Sequence, residues 1–422
     1  MLLLRILSML SMLFVCASLG GAQDSLNVRR VGEIDYWNGD TYCRTWGVDA
    51  LGSFAYITLG DSGLRIINVS DPVHPIETGF LQASGFAWRV LVEGNFAYLA
   101  SSDSLRVVNI TNPANPFEVS SYGISHDVRD VVIVGNYLYM TVGQEGMKII
   151  DVTNPFALIE IGYFATHGSP VGLAVSGNYA YVTEEGNPPG FAVVDISNPA
   201  LPQEVGHSDG IHSPWFLTVS GNYLYMADEM GGIFISDISN PVIPTWIDFY
   251  QTVHGGYDLE IDGHYMYLAN GTDGLRVLDI TDPTTPTEVG FHQDAPYMIS
   301  QVAVAGRYVF AAQLEYFSVF DCSAATSISE SIVPEPASFE LACYPNPFNP
   351  STQISFNLPR ANPVKLSVYN LSGQLVQTLI DKRMSSGAHM IRFDGSNLSS
   401  GAYLYRLDSP DNSAIRKMLL IK

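Results

Sequence analysis

Cysteine and positive charge are what this chain has least of. It holds 4 cysteines in 422 residues, and one of them, Cys16, falls in an apolar N-terminal run. The remaining three, Cys43, Cys322 and Cys343, allow one internal disulfide at most, so no disulfide scaffold is implied, and their spacing suits no zinc site. Lys and Arg together number 20 against 42 Asp and Glu, a formal charge of −22, and a surface of that sign repels nucleic-acid phosphates. Charged residues of both signs make up only 15% while hydrophobic residues make up 47%, which builds a substantial core and excludes a disordered chain. Past the N-terminus no uninterrupted apolar run reaches the ~18 residues of a membrane helix. The chain also lacks HExxH, GxSxG, a P-loop and a GxGxxG following a strand, so no familiar catalytic signature offers a lead.

What is present begins with MLLLRILSMLSMLFVCASLGGAQD: one Arg, an apolar run, then small residues with Gly20 and Ala22 placed for a cut before Gln23. This three-part build reads as a signal peptide over residues 1–22. Leu13-Phe14-Val15 ahead of Cys16 is a poor lipoprotein box, so secretion is expected rather than lipid anchoring. The 37 Gly, 24 Pro and 11% aromatics favour many short strands joined by tight turns.

Those turns recur. A Gly-Asn-aromatic hairpin opens seven copies, starting at Leu51, Glu93, Val134, Ser176, Ser220, Asp262 and Ala305. The period of roughly 42 residues is that of propeller blades with four strands each. Each copy reads as an apolar alternating strand, a tight turn, an aromatic-rich strand such as YLYM, a third strand such as GLRVLDI, an Asp-Pro-x-x-Pro connection and a fourth strand such as TEVGF. The seventh copy stops after YFSVFDC, while an orphan VRRVGEIDYW precedes the first. Docking the orphan beside Phe317–Asp321 would complete blade seven and remove an open edge. The expected fold is all-β: a seven-bladed propeller over 23–322 closed by its N-terminal strand, a Ser/Pro/Glu-rich linker over 323–340, and a small Ig-like β-sandwich over 341–422. In that arrangement Cys43 and Cys322 fall on opposite faces, beyond disulfide reach, whereas a Cys322–Cys343 bridge stays open as a tether.

The units GLRVLDITDPTTPTEVG, GMKIIDVTNPFALIEIG and FAVVDISNPALPQEVG resemble the LVIVD repeat of bacterial exported β-propeller proteins. The tail, with Tyr344-Pro345-Asn346-Pro347-Phe348-Asn349-Pro350, VYNLSGQLV, Phe393-Asp394-Gly395, Ser400-Gly401-x-Tyr403 and Lys417-Met418, resembles the C-terminal sorting domain of type IX secretion. That resemblance implies the type IX machinery as a partner and a secreted or outer-membrane-surface location. An ordinary Ig-like domain retained on the protein is the bland alternative.

The residues with chemical potential recur blade by blade. The recurring Asp151, Asp195, Asp237, Asp279 and Asp321, with Asn68 and Asn109 in blades one and two, sit one per blade and do not converge. A turn role, in which the side chain accepts from following backbone N–H groups, explains them and tolerates the Asn. The loops between strands two and three each carry an acid (Asp61, Asp103, Glu145, Glu184/Glu185, Asp228/Glu229, Asp273, Glu315), and these are either hairpin residues or a binding rim. The connections entering the blades on the same face carry Trp46, Trp88, Trp215 and Tyr257, with His126, His167, His212 and His254. The histidines are spread one per connection without a short-range pair, so no metal site is assigned. The innermost positions offer Arg89, Asp130, Asp258 and Gln301 among Gly47, Gly172 and Phe216. Trp46, Trp88, Arg89, Asp130, Trp215, Tyr257 and Asp258 are therefore the candidate ligand contacts, for an unknown extracellular glycan, peptide or protein. No catalytic residue and no cofactor is assigned, a divalent cation being conceivable without a motif to support it. The competing classes are an extracellular hydrolase or lyase and a purely structural surface component.

Overall fold

The computed structural model describes residues 25–36, 44–82, 85–186, 188–211, 213–229, 231–293, 298–326, 341–344, 346–358, 362–370, 374–384, 387–409 and 413–422. The signal segment, Cys43, His212 and residues 327–340 of the expected linker lie outside the described residues.

Alternation of apolar side chains generates seven antiparallel sheets in which strands run in chain order. In blade three these are Val128–Val134, Tyr137–Val142, Gly146–Asp151 and Ile159–Phe164. The first strands pack against one another around a ring, the seventh against the first. Strand two of every blade buries its central aromatic: Tyr56, Tyr98, Tyr139, Tyr181, Tyr225, Tyr267 and Phe310 are all 4% exposed or less. Arg29–Asp35 pairs antiparallel with Tyr316–Asp321, Ile34 opposite Phe317, as the fourth strand of blade seven. Blade six gains an unforeseen fifth strand, Ser25–Leu26.

The hairpin between strands one and two has φ between +57° and +63° at Gly52, Gly94, Gly135, Gly177, Gly221, Gly263 and Gly306. The residue after each glycine is not left-handed, so the chain uses type II′ geometry. After strand three, Asn68, Asn109, Asp151, Asp195, Asp237, Asp279 and Asp321 each accept the backbone N–H two residues on, at 2.7–3.0 Å. The second polar residue repeats the device: Asp71, Asn112, Asn154, Asn198 and Asp282 accept at 3.0–3.2 Å. The repeated acids are therefore turn residues. The prolines of that turn dock on the preceding blade, where a Cβ on Gly79 or Gly162 would overlap the carbonyl of Pro113 or Pro199. At the same place blade two has Ser120, whose hydroxyl donates to the Pro155 carbonyl.

Two sequence expectations change. Residues 323–326 are not linker but a turn of helix, Ser323–Thr326, whose Ala325 joins the core between blades six and seven. Cys322 and Cys343 carry free thiols, so the tether is absent. Cys322 is fully buried among Tyr267, Val277 and Phe320, while Cys343 packs against the core of the C-terminal domain. That domain is a β-sandwich of a three-stranded and a four-stranded sheet around Phe348, Phe356, Leu366, Phe393, Tyr405 and Met418. Its opening motif clasps its last strand: Asn346 accepts from Leu419 N at 2.8 Å, and Phe348 is 2% exposed.

Candidate functional site

The first strands surround a channel, and their polar side chains tie each blade to the next. Asp49 accepts from Val92 N at 2.6 Å, Asp130 from Leu173 N at 2.8 Å, Asp258 from Val302 N at 3.2 Å, and Gln301 from Val48 N at 2.8 Å. Thr141 and Thr183 of strand two add a relay. Each hydroxyl accepts from its own first strand, Asp130 N or Gly172 N, and donates to the next blade's Val171 or Trp215 carbonyl at 2.8 Å. Gly172 is small because the backbone of Trp215 and Phe216 lies against it.

Arg89 spans the channel. Its Nε lies 2.9 Å from Asp130 and its two terminal nitrogens donate to Asp258 Oδ1 at 3.3 Å, while the guanidinium stacks 4.2 Å from the centre of the Phe216 ring. One cation is thus shared between two buried carboxylates. Desolvation outweighs that half-share of positive charge and holds Asp130 up at about 6 and Asp258 above its ordinary value. Burial likewise lifts Asp49 to about 6 and Glu260 to about 8, the latter pushed further by its acidic neighbours.

Arg89 and Gln301 line two cavities and so form the partition between them. The cavity on the side of Asp49 and Glu260 has about 300 Å³ and walls of first-strand aliphatics. The other, of about 340 Å³, is walled by Trp46, Trp88, Trp215, Phe216 and Tyr257. Trp46 and Trp88 meet edge to face with centroids 5.4 Å apart, and Trp215 and Tyr257 pack at 5.7 Å. Glu229 fixes the Trp215 indole, accepting its N–H at 3.1 Å. The indole nitrogens of Trp46 and Trp88, though covered, have no hydrogen-bond partner.

The structure therefore places Trp46, Trp88, Arg89, Trp215 and Tyr257 around one cavity, and sets Asp130 and Asp258 behind Arg89 as its counter-charges. Asp127, Met298 and Ser300, from connections with no periodic signal, also line it. So does Arg129 on the first strand of blade three, at a position where no other blade has an arginine to flag it. The pairing of Arg89 with Asp258, 169 residues away, had no local signature either.

The acids on this face are mostly engaged within the protein. His126 and His254 reach Glu145 and Asp273 at 2.9 Å, and Glu184 accepts from the backbone of His167 and Gly168. One expectation fails here: His167 is not isolated, because its ring packs 5.5 Å from that of His207 on strand four of the same blade.

A family model for the LVIVD repeat matches residues 44–82, 84–123, 125–166, 167–209, 215–252, 256–294 and 298–332. A second, the secretion system C-terminal sorting domain, matches residues 342–422. Among solved structures, a chain of the "Crystal Structure of Mitotic Checkpoint Complex" aligns at 13% identity and TM-score 0.55, over 73% of this chain and 96% of its own. The computationally designed Ika8 protein aligns at 10% identity and TM-score 0.50, over 86% of this chain and 99% of its own. PorZ, described as a bacterial surface component of the type-IX secretion system of Porphyromonas gingivalis, aligns at 13% and TM-score 0.42, over 90% and 66%. The first two likenesses show the fold alone. No curated protein matches the chain. The sorting domain marks the chain for secretion to the cell surface or extracellular space through the type IX system, and no helix among the described residues is long and apolar enough to cross a membrane. With seven matched repeats, the chain belongs to the family of LVIVD-repeat β-propeller proteins.

Proposed function

We propose that this exported propeller is a binding protein whose ligand enters the aromatic cavity at the mouth of its channel. The observation that carries the reading is the meeting of Trp46, Trp88, Trp215, Phe216 and Tyr257 around about 340 Å³, a size within the range of small-ligand sites. The floor cation, Arg89, is already neutralised by Asp130 and Asp258, which disfavours a strongly anionic ligand. Flat aromatic faces with a few polar groups suit an uncharged polar molecule, and a short glycan is the class that uses both.

An acid–base enzyme would need a carboxylate and an imidazole within about 5 Å of each other at the cavity. The residues lining it include Asp127 and Glu229 but no histidine, and Glu229 is committed to Trp215. That favours binding over hydrolysis. The test is a glycan and peptide array probed with the whole chain and with Trp88→Ala and Trp215→Ala. Glycan binding lost in both variants supports the proposal; binding that both variants retain contradicts it.

A further inference from the structure

Strand four of each blade carries a bulge, which in blades one to four and six places a glutamate and the residue three further on along one face of the sheet. In blade four the register steps from Val194 opposite Glu204 to Val193 opposite Gly206, leaving Val205 as the extra residue. Side chains three apart on a regular strand point to opposite faces; one bulged residue between them brings them to the same face. Glu204 and His207 therefore converge, with His207 Nδ1 at 3.4 Å from Glu204.

In other blades this face holds a cation supplied by strand three. Arg65 meets Glu77 at 3.8 Å, Arg106 meets Glu118 at 3.0 Å, Lys148 meets Glu160 at 3.1 Å, and Arg276 meets Glu288 at 2.7 Å. Blades one, three and six lay an aromatic ring beside it: Phe80, Tyr163 and Phe291. Blade four keeps the glutamate but has Ala192 at the cation's position and His207 at the aromatic's, the two paired across the strands. His167, from the connection into the blade, approaches from the other side, its Nε2 at 3.7 Å from Glu204. The repeat's own logic calls for a positive charge between these groups, and here the chain supplies none from strand three.

We propose that blade four binds a divalent transition cation of the zinc class through His167, Glu204 and His207, in the place where four other blades hold Arg or Lys. The donor atoms of the three residues lie within 4.8 Å of one another. Metal bonds of ~2.0–2.2 Å require them to close to about 3.4 Å, a rotamer adjustment open to His167. That side chain is 68% exposed. The setting of His207 fits the role: its Nε2 lies 2.9 Å from Asp209, and donation there leaves the Nδ1 lone pair facing Glu204, with no hydrogen bond of its own. Glu184, 2% exposed, has its Oε2 at 3.8 Å from His167 Nδ1, placed to orient that ring from behind while Nε2 faces Glu204. Two imidazoles with carboxylate select zinc-like ions over calcium or magnesium, which prefer all-oxygen shells.

The test uses the whole chain stripped of metal with a chelator, then titrated with Zn²⁺ by calorimetry and by equilibrium dialysis. One Zn²⁺ per chain is expected, with a rise in melting temperature, and no comparable uptake of Ca²⁺. His207→Phe installs the ring found in blades one and six and should weaken binding by more than about tenfold and abolish the thermal shift. Ala192→Arg restores the repeat's own cation and should abolish binding as well; where that variant does not fold, His207→Phe decides. No Zn²⁺ uptake by the unaltered chain, equal uptake of Ca²⁺, or an equivalent of Zn²⁺ that survives His207→Phe would each overturn the assignment.

Discussion

Two kinds of carboxylate distinguish this chain at the scale of single residues. The turn aspartates Asp151, Asp195, Asp237 and Asp279 are held below their ordinary values, chiefly by the hydroxyl and backbone N–H of the residue two positions on. The acceptor matters more than the charge, since Asn68 and Asn109 make the same bond. Asp237→Asn should leave the urea midpoint nearly unchanged at pH 7, while Asp237→Ala, which removes the acceptor, should lower it measurably. The channel acids are the reverse case. Asp49 and Asp130 are raised to about 6 and Glu260 to about 8 by burial, so the folded state binds protons more tightly than the unfolded chain. Their penalty grows from the unfolded carboxylate range at about pH 4 up to those folded values and is complete above them. The turn aspartates' contribution is complete above that same range and is lost as the pH falls toward their lowered values, so stability should peak at about pH 4. Glu260→Gln keeps an acceptor for Val304 N and removes the charge. Denaturation followed across pH should show that variant more stable than the unaltered chain at pH 8, with the difference closing as the pH falls to about 4; equal stability at both would contradict the burial argument.

At the scale of elements, one blade is a device for engaging the next. The Pro-containing turns of blades one to five lie on strand four of the preceding blade in the ring, and Gly162 leaves room for the Pro199 carbonyl. Gly162→Ala should lower stability by about 1–3 kcal/mol through overpacking, whereas Gly123→Ala, where a Cβ meets nothing, should be nearly silent in the same thermal melts. These elements were largely legible in the sequence, because turn chemistry and the period of two are local signals that recur seven times. What was not legible depends on two places where locality ends. The bulge that joins Glu204 to His207 reverses the facing that simple alternation assigns. The partners of Arg89 come from blades three and six, brought opposite one another only by the ring. The Cys322–Cys343 tether failed for a similar reason, each thiol being packed in a core of its own.

For the whole molecule, the ring converts a repeated scaffold into one asymmetric mouth. Among the described residues of the connections that enter the channel face, aromatic side chains cluster where Trp46, Trp88, Trp215 and Tyr257 meet around the Arg89 floor. The aromatic residues were readable as a set from their place in the repeat; that they enclose one cavity, with Arg129 and Met298 beside them, required the fold. The sorting domain marks the chain that bears this surface for export to the cell surface or extracellular space. The most direct test is calorimetric titration of the whole chain with the best glycan found on an array, alongside Trp88→Ala and Trp215→Ala. The account predicts saturable 1:1 binding that both substitutions weaken by more than about tenfold, as expected of aromatic anchors in a buried site. Binding of undiminished strength in both variants would contradict it.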